Sequence, residues 1–284
     1  MALGLISGFF VAEVVTAALG NSLVLFADAG HMLTDIGALA LSAWAIRLAN
    51  SPAHERWTYG LKRAEILAAA INAIVLVVVA ILIGVVAVRR LIAPQHVTGG
   101  LVFAVAIVGV AVNLLATWVL AKAHRRSLNL RAAYAHIVTD LYAFVGTATA
   151  GLVILIAHWR EADSVAALLV GVLMVATACD LLRDSARILL QGTPEDLNLR
   201  DVRQRLVEVE HVLDIHDLHA WTLTSGSTTL SAHVIVESEC FDTGHAPQIL
   251  DSLQVCLLEQ FGVSHATFQL EPPTHASHED DIHQ

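Results

Sequence analysis

Charge is scarce in this chain, and so are cysteine and the short motifs of catalysis. Asp, Glu, Lys and Arg make up 15% of its 284 residues against 56% hydrophobic, and the mean hydropathy is +0.66. Soluble domains carry about a quarter charged residues, so a wholly soluble protein is excluded and an integral membrane protein is indicated. The three cysteines, Cys179, Cys240 and Cys256, form no CxxC pair and no even-numbered framework. That argues against a disulfide scaffold or a thiolate zinc site, and they read as reduced and structural. The GxxxxGK[ST] loop of an ATP-driven pump is missing, as are an HExxH helix and a GxSxG elbow. Lysine is absent from residue 191 onward, where three Arg face sixteen Asp and Glu for a net charge of −13, whereas the first 190 residues carry +3. Nine of the fifteen His lie in the acidic part. Such a surface argues against nucleic acid as a partner and favours cations.

What the chain has in abundance is apolar sequence. Six stretches reach the roughly 20 apolar residues that cross a bilayer, at 1–19, 21–48, 64–88, 101–122, 132–157 and 164–188. The first lacks a basic leader and a small-residue cleavage site, so it reads as a retained span. Arg47, Arg56, Lys62 and Arg63 sit between spans two and three, and Lys122, Arg125, Arg126 and Arg131 between spans four and five. The other two connections offer Arg89 with Arg90, and Arg160. The positive-inside bias places the richer loops, both termini and the acidic domain in the cytosol, with the spans in a prokaryotic-type plasma membrane.

After "LLQGTPEDLN" the pattern changes. Residues 198–209 predict an amphipathic helix, "DIHDLHAWTLTSG" and "TTLSAHVIVES" two strands, "APQILDSLQVCLLEQFG" a helix closed by Gly262, and "HATFQLE" a third strand. The order α-β-β-α-β allows a small α+β domain with two helices on one face of a sheet. The expected organisation is a six-helix transmembrane domain at 1–190, a cytosolic domain at 191–272, and a His- and acid-rich disordered tail at 273–284.

Two polar sets interrupt the apolar spans. "HMLTD" in span two separates His31 from Asp35 by one helical turn, with Asp28 on nearly the same stripe. "HIVTD" in span five repeats the spacing with His136 and Asp140. A single HxxxD also serves as a backbone-bonded His and a capping Asp. Two copies in separate spans, at a depth where ionisable groups are costly, supply two imidazoles and two carboxylates, a tetrahedral set suited to Zn²⁺, with Cd²⁺ or Co²⁺ as alternatives. Metal and protons compete for such ligands, so a metal/proton antiporter follows. Asp28 reads either as an accessory acid or as a partner for a neighbouring helix.

The stretches "SLVLFADAGHMLTD", "RWTYGLKRAEILAAAINAIVL", "RAAYAHIVTD" and "HDLHAWTLTSGSTTLSAHVIV" resemble the zinc-type branch of the cation diffusion facilitator family over nearly the whole chain. The resemblance implies a homodimer of six-span protomers exchanging cytosolic divalent metal for protons by alternating access, with a ferredoxin-like cytosolic domain that binds further metal. It carries the transport site to His31, Asp35, His136 and Asp140, and cytosolic sites to His216, His233, His245 and Glu271. Gln269 stands where some members place another His. The loop between spans two and three has only His54 and Glu55, so the metal site some relatives carry there is not expected. His219 is expected on the surface or in packing. The competing readings are a membrane-anchored metal sensor, which leaves the paired HxxxD unexplained, and an intramembrane metalloenzyme.

Overall fold

The computed structural model describes the backbone of residues 2–49, 51–122, 128–224 and 226–276, with side chains for all of these except 2–7, 39, 42, 116–122, 128–139 and 276. Six long helices come first: α1 (Ala2–Gly20), α2 (Leu23–Ala49), α3 (Ala64–Ile92), α4 (Gly99–Lys122), α5 (Leu128–Ala157) and α6 (Glu161–Leu189). There follow α7 (Leu199–Val207), β1 (Val212–Thr224), β2 (Ser227–Val236), α8 (Glu239–Asp242), α9 (Ala246–Phe261), β3 (His265–Glu271) and α10 (Pro273–Ala276). Contacts divide the chain into two compact units, Met1–Ala43 with Ala69–Leu182, and Trp44–Ala68 with Arg183–Gln284.

Among the described residues, four helical segments are long and apolar enough to cross a membrane: Leu23–Ala49, Ala64–Ile92, Asp140–Ala157 and Glu161–Leu189. Gly8–Gly20 and Gly99–Leu115 are shorter apolar pieces. Ile71, Ile74, Val78, Ile81 and Leu82 of α3 point outward, the inverse of a soluble helix and the pattern expected where lipid is the solvent. Small residues set the interior. Gly151 of α5 lies so close to α4 that a Cβ there would meet the Phe103 amide nitrogen at 2.6 Å, the close backbone approach that glycine permits between membrane helices.

The α1–α2 joint is built from polar groups. Asn21 takes φ +50°, turning the chain between two helices that a two-residue connection would otherwise fuse. Its carbonyl accepts from Arg90 at 2.7 Å and its side-chain oxygen at 3.0 Å. Ser22 caps α2 by accepting from the Leu25 amide at 3.3 Å. Asp163 of α6 then accepts from the Ser22 hydroxyl at 2.5 Å and from the amides of Leu23 at 2.6 Å and Val24 at 3.4 Å. A carboxylate thus meets the orphan donors and positive dipole end of α2, which fixes where α2 starts.

The second unit takes in the α2–α3 connection as well as the C-terminal domain. Here the Thr224 hydroxyl donates to Glu65 at 3.1 Å, and the Tyr59 ring meets His265 edge-on at 6.2 Å. Strand β2 buries Leu230, Ala232, Val234 and Val236, the period-two signature of one covered face. Helix α9 buries Ile249, Leu253 and Leu257 on one stripe, the last two contributing about 2 kcal/mol each. Gly262 at φ +67° ends it, its amide bonding back to Leu257 and Leu258. The sheet order is β1-β2-β3, with β1 and β2 antiparallel and β2 and β3 parallel. Parallel pairing needs a crossover, which α9 supplies. Pro273–Ala276 form the helical turn α10 where a structureless tail was expected. The turn begins at proline, which favours the first helical position; residues 277–284 lie outside the described residues.

Candidate metal centre

The first polar set forms between α2 and α5. His31 Nε2 lies 3.5 Å from Asp140 Oδ1 and 3.9 Å from Asp35 Oδ2. Helical spacing brings His31 and Asp35 together on one helix, and packing brings Asp140 to them from another. His136 falls on α5 by number, and its side chain lies outside the described residues. Asp28 is buried, with 2% of its surface exposed. Glu13 of α1 is fully buried and interacts with Asp28. A buried carboxyl pair therefore lies one helical turn from His31.

The second set gathers on the C-terminal sheet. One donor atom from each of His216, His233 and Glu271 lies within 4.8 Å of the other two. His216 on β1 pairs in register with His233 on β2, which pairs with Gln269 on β3. Their imidazole centroids are 5.1 Å apart, and His216 Nε2 hydrogen-bonds Glu271 Oε1. His233 Nδ1 is 3.8 Å from Glu271 Oε2, and Glu271 is 1% exposed. A buried carboxylate facing two imidazoles is a donor set that fits zinc. The Gln269 amide donates to Glu271 Oε2 at 3.3 Å and steadies that carboxylate.

Three neighbours complete the picture. A bulge in β1 between His216 and His219 puts Asp217 at φ +49°. Asp217 then contacts His219 Nε2 at 2.7 Å and His233 Nε2 at 3.8 Å; His219 itself is exposed, in the surface role expected for it, and touches the cluster through Asp217. His275 on α10 comes within 4.0 Å of Glu271. His245 is set elsewhere: the chain turns through α8 after β2 and lays the His245 ring against His211, centroids 5.6 Å apart. Among the described residues, a second trio of donors, His211, Glu237 and Cys240, also lies within 4.8 Å, and neither trio includes His54 or Glu55. Loss of water contact pushes the Cys240 thiol up, reinforced by Glu237 and Glu239, and also raises that of Cys256.

Apolar outward-facing helices with an ionisable cluster between them define a multi-pass membrane protein built to handle a cation. The cation efflux transmembrane domain matches residues 1–190 and the cytoplasmic domain of cation efflux proteins matches residues 194–273. The chain belongs to the cation efflux family, and is a transporter, not an enzyme. It is 34% identical over 98% of its length to the cadmium, cobalt and zinc/H(+)-K(+) antiporter of Bacillus subtilis (strain 168), covering 89% of that protein. It is 38% identical to the metal cation efflux system protein CzcD of Cupriavidus metallidurans, over 95% of this chain and 85% of that one. To the zinc transporter ZitB of Escherichia coli (strain K12) it is 37% identical, with the same coverages of 95% and 85%.

Proposed function

We propose that the protein exports Zn²⁺ from the cytosol in exchange for protons by alternating access, with Cd²⁺ and Co²⁺ as alternative cargo. The observation that carries this reading is the meeting of His31 and Asp35 of α2 with Asp140 of α5. His136 completes a set of two imidazoles and two carboxylates, the composition a tetrahedral zinc ion prefers. Because two helices share the ligands, a shift of α2 against α5 dismantles the set and releases the ion, while protonation of the same groups completes the exchange. Asp28, with Glu13 beside it, is an accessory carboxyl for proton passage. The similarity to a cadmium, cobalt and zinc/H(+)-K(+) antiporter and to a zinc transporter supports the choice of cargo and counter-ion.

In this reading α1–α6 all span a prokaryotic plasma membrane with both termini cytoplasmic, and the C-terminal domain is ferredoxin-like and joins two protomers in a homodimer. His216, His233 and Glu271 bind regulatory zinc, with His275 at hand and His245 as a further donor of the same domain. A divalent ion there offsets the repulsion between two domains of net charge −13.

Zinc flux into proteoliposomes under an imposed pH gradient tests the proposal. The parent protein transports zinc, and folded Asp35→Asn and Asp140→Asn each lose transport. Gradient-independent flux, or flux that survives both substitutions, refutes it.

A further inference from the structure

A different set of donors lies where β1 begins and β2 ends. His211 precedes β1, Glu237 follows β2 and Cys240 is on α8, and one donor atom of each lies within 4.8 Å of the other two. None of the three belongs to the His216 cluster or to the α2–α5 set.

The backbone holds them together. The Glu237 amide donates to the His211 carbonyl at 3.2 Å, the Cys240 amide to the Glu237 carbonyl at 3.0 Å, and the His245 amide to the Cys240 carbonyl at 3.1 Å. His211 Nδ1 is 2.9 Å from Glu237 Oε2. Two ligands about 2.0–2.1 Å from a tetrahedral zinc are about 3.3 Å apart, so that pair needs to open by only a few tenths of an ångström. Cys240 is 2% exposed while Glu237 is exposed, giving a thiol floor with an open carboxylate side through which an ion can enter.

The His245 ring lies beside that of His211, centroids 5.6 Å apart. The Thr243 hydroxyl donates to the Glu239 carbonyl and sits 2.7 Å from His245 Nδ1. With its proton so used, the hydroxyl accepts from Nδ1–H, which fixes the tautomer and leaves Nε2 with its lone pair for a metal. The two rings are tilted by 32°. His211 itself sits at φ +67°, a conformation that glycine adopts without penalty and an imidazole does not. We infer that His211, Glu237 and Cys240, with His245 as fourth donor, form a second transition-metal site in the C-terminal domain, one that takes Cd²⁺, Zn²⁺ or Co²⁺ through a cysteine thiolate. Hard cations such as Mg²⁺ and Ca²⁺ are disfavoured by the sulfur and nitrogen donors.

Full-length protein in detergent, titrated with Co²⁺, tests this through the sulfur-to-cobalt charge-transfer absorption of the near ultraviolet. Neither the α2–α5 set nor the His216 cluster contains a thiol, so the band reports this site alone and does not depend on transport. The expected result is a saturable band that persists in Cys179→Ser, Cys256→Ser and His216→Ala and disappears in Cys240→Ser. In case Cys240→Ser fails to fold, His211→Gly decides: it relaxes the left-handed backbone, so the melting temperature holds or rises, while Co²⁺ affinity falls by roughly tenfold or more. A parent protein without the band, a band that survives Cys240→Ser, or unchanged affinity in His211→Gly overturns the assignment.

Discussion

Replacing Asp163 by Asn keeps the shape of the side chain and removes its charge at the start of α2. The carboxylate accepts two short hydrogen bonds, 2.5 Å from the Ser22 hydroxyl and 2.6 Å from the Leu23 amide, and a marginal one at 3.4 Å from the Val24 amide. Charge-assisted bonds contribute about 1.5–3 kcal/mol each, and the helix dipole adds about 0.3–1 kcal/mol. The amide retains one acceptor oxygen but turns an NH₂ toward groups that are themselves donors. With one bond weakened and one lost at a site only 1% exposed, Asp163→Asn destabilises by about 2–4 kcal/mol. Equilibrium unfolding in mixed micelles measures the loss, and a double-mutant cycle with Ser22→Ala isolates the shared term, expected at about 1.5–2 kcal/mol. Because α2 carries His31 and Asp35, zinc flux falls with it, while zinc binding at the His216 cluster does not. A loss below about 0.5 kcal/mol, or a coupling energy of zero, refutes the capping argument.

Two further perturbations address packing and ligand support. Gly151→Ala places a methyl 2.6 Å from a backbone nitrogen that cannot rotate away, so it costs about 1–3 kcal/mol in the same unfolding assay; Gly146→Ala, with nothing within 4 Å of its Cβ, serves as the neutral control. Gln269→Ala removes the amide that steadies Glu271 and lowers zinc affinity of the His216 cluster by about tenfold, as read by competition with a chelator. Equal stability of the two glycine variants, or unchanged zinc affinity in Gln269→Ala, contradicts the respective role.

The helices and strands were legible because their signals are local. Apolar runs set α2 through α6 to within a few residues, "HATFQLE" is β3 residue for residue, and Asn198 caps α7 as its position before an amphipathic run suggests. The site was half legible for the same reason: HxxxD spacing is written along one helix, whereas the approach of Asp140 to His31 is a tertiary fact that only the duplicated motif hinted at. What stayed hidden depends on distant partners or on irregular backbone. Asp163 reads as one acid at the mouth of span six, and nothing near it names Ser22. The bulge at Asp217 breaks strand alternation, so the contacts that Asp217 makes with the exposed His219 and with His233 could not be read from spacing. Cys240 reads as a lone structural cysteine because its companions are 29 residues earlier at His211 and, nearer, at Glu237, brought together only when β1 and β2 pair. The parallel partnering of β2 and β3 was likewise unreadable from strand patterns, which look alike in either direction.

His216, His233 and Glu271 come one from each strand, and His216 and Glu271 are 55 residues apart in the chain. Strand β3 reaches its place only after α9 has crossed over, so a nascent or clipped chain lacking β3 presents the two imidazoles without the buried carboxylate of Glu271. A cation at that cluster therefore acts as a clasp that closes only on a finished domain. Its binding energy is realised as resistance to unfolding, about 2.7 kcal/mol when free metal stands a hundredfold above the dissociation constant. Metal-starved cells would then hold a C-terminal domain that opens and is degraded more readily, and transporter abundance would follow the supply of the ion it carries without any change in transcription.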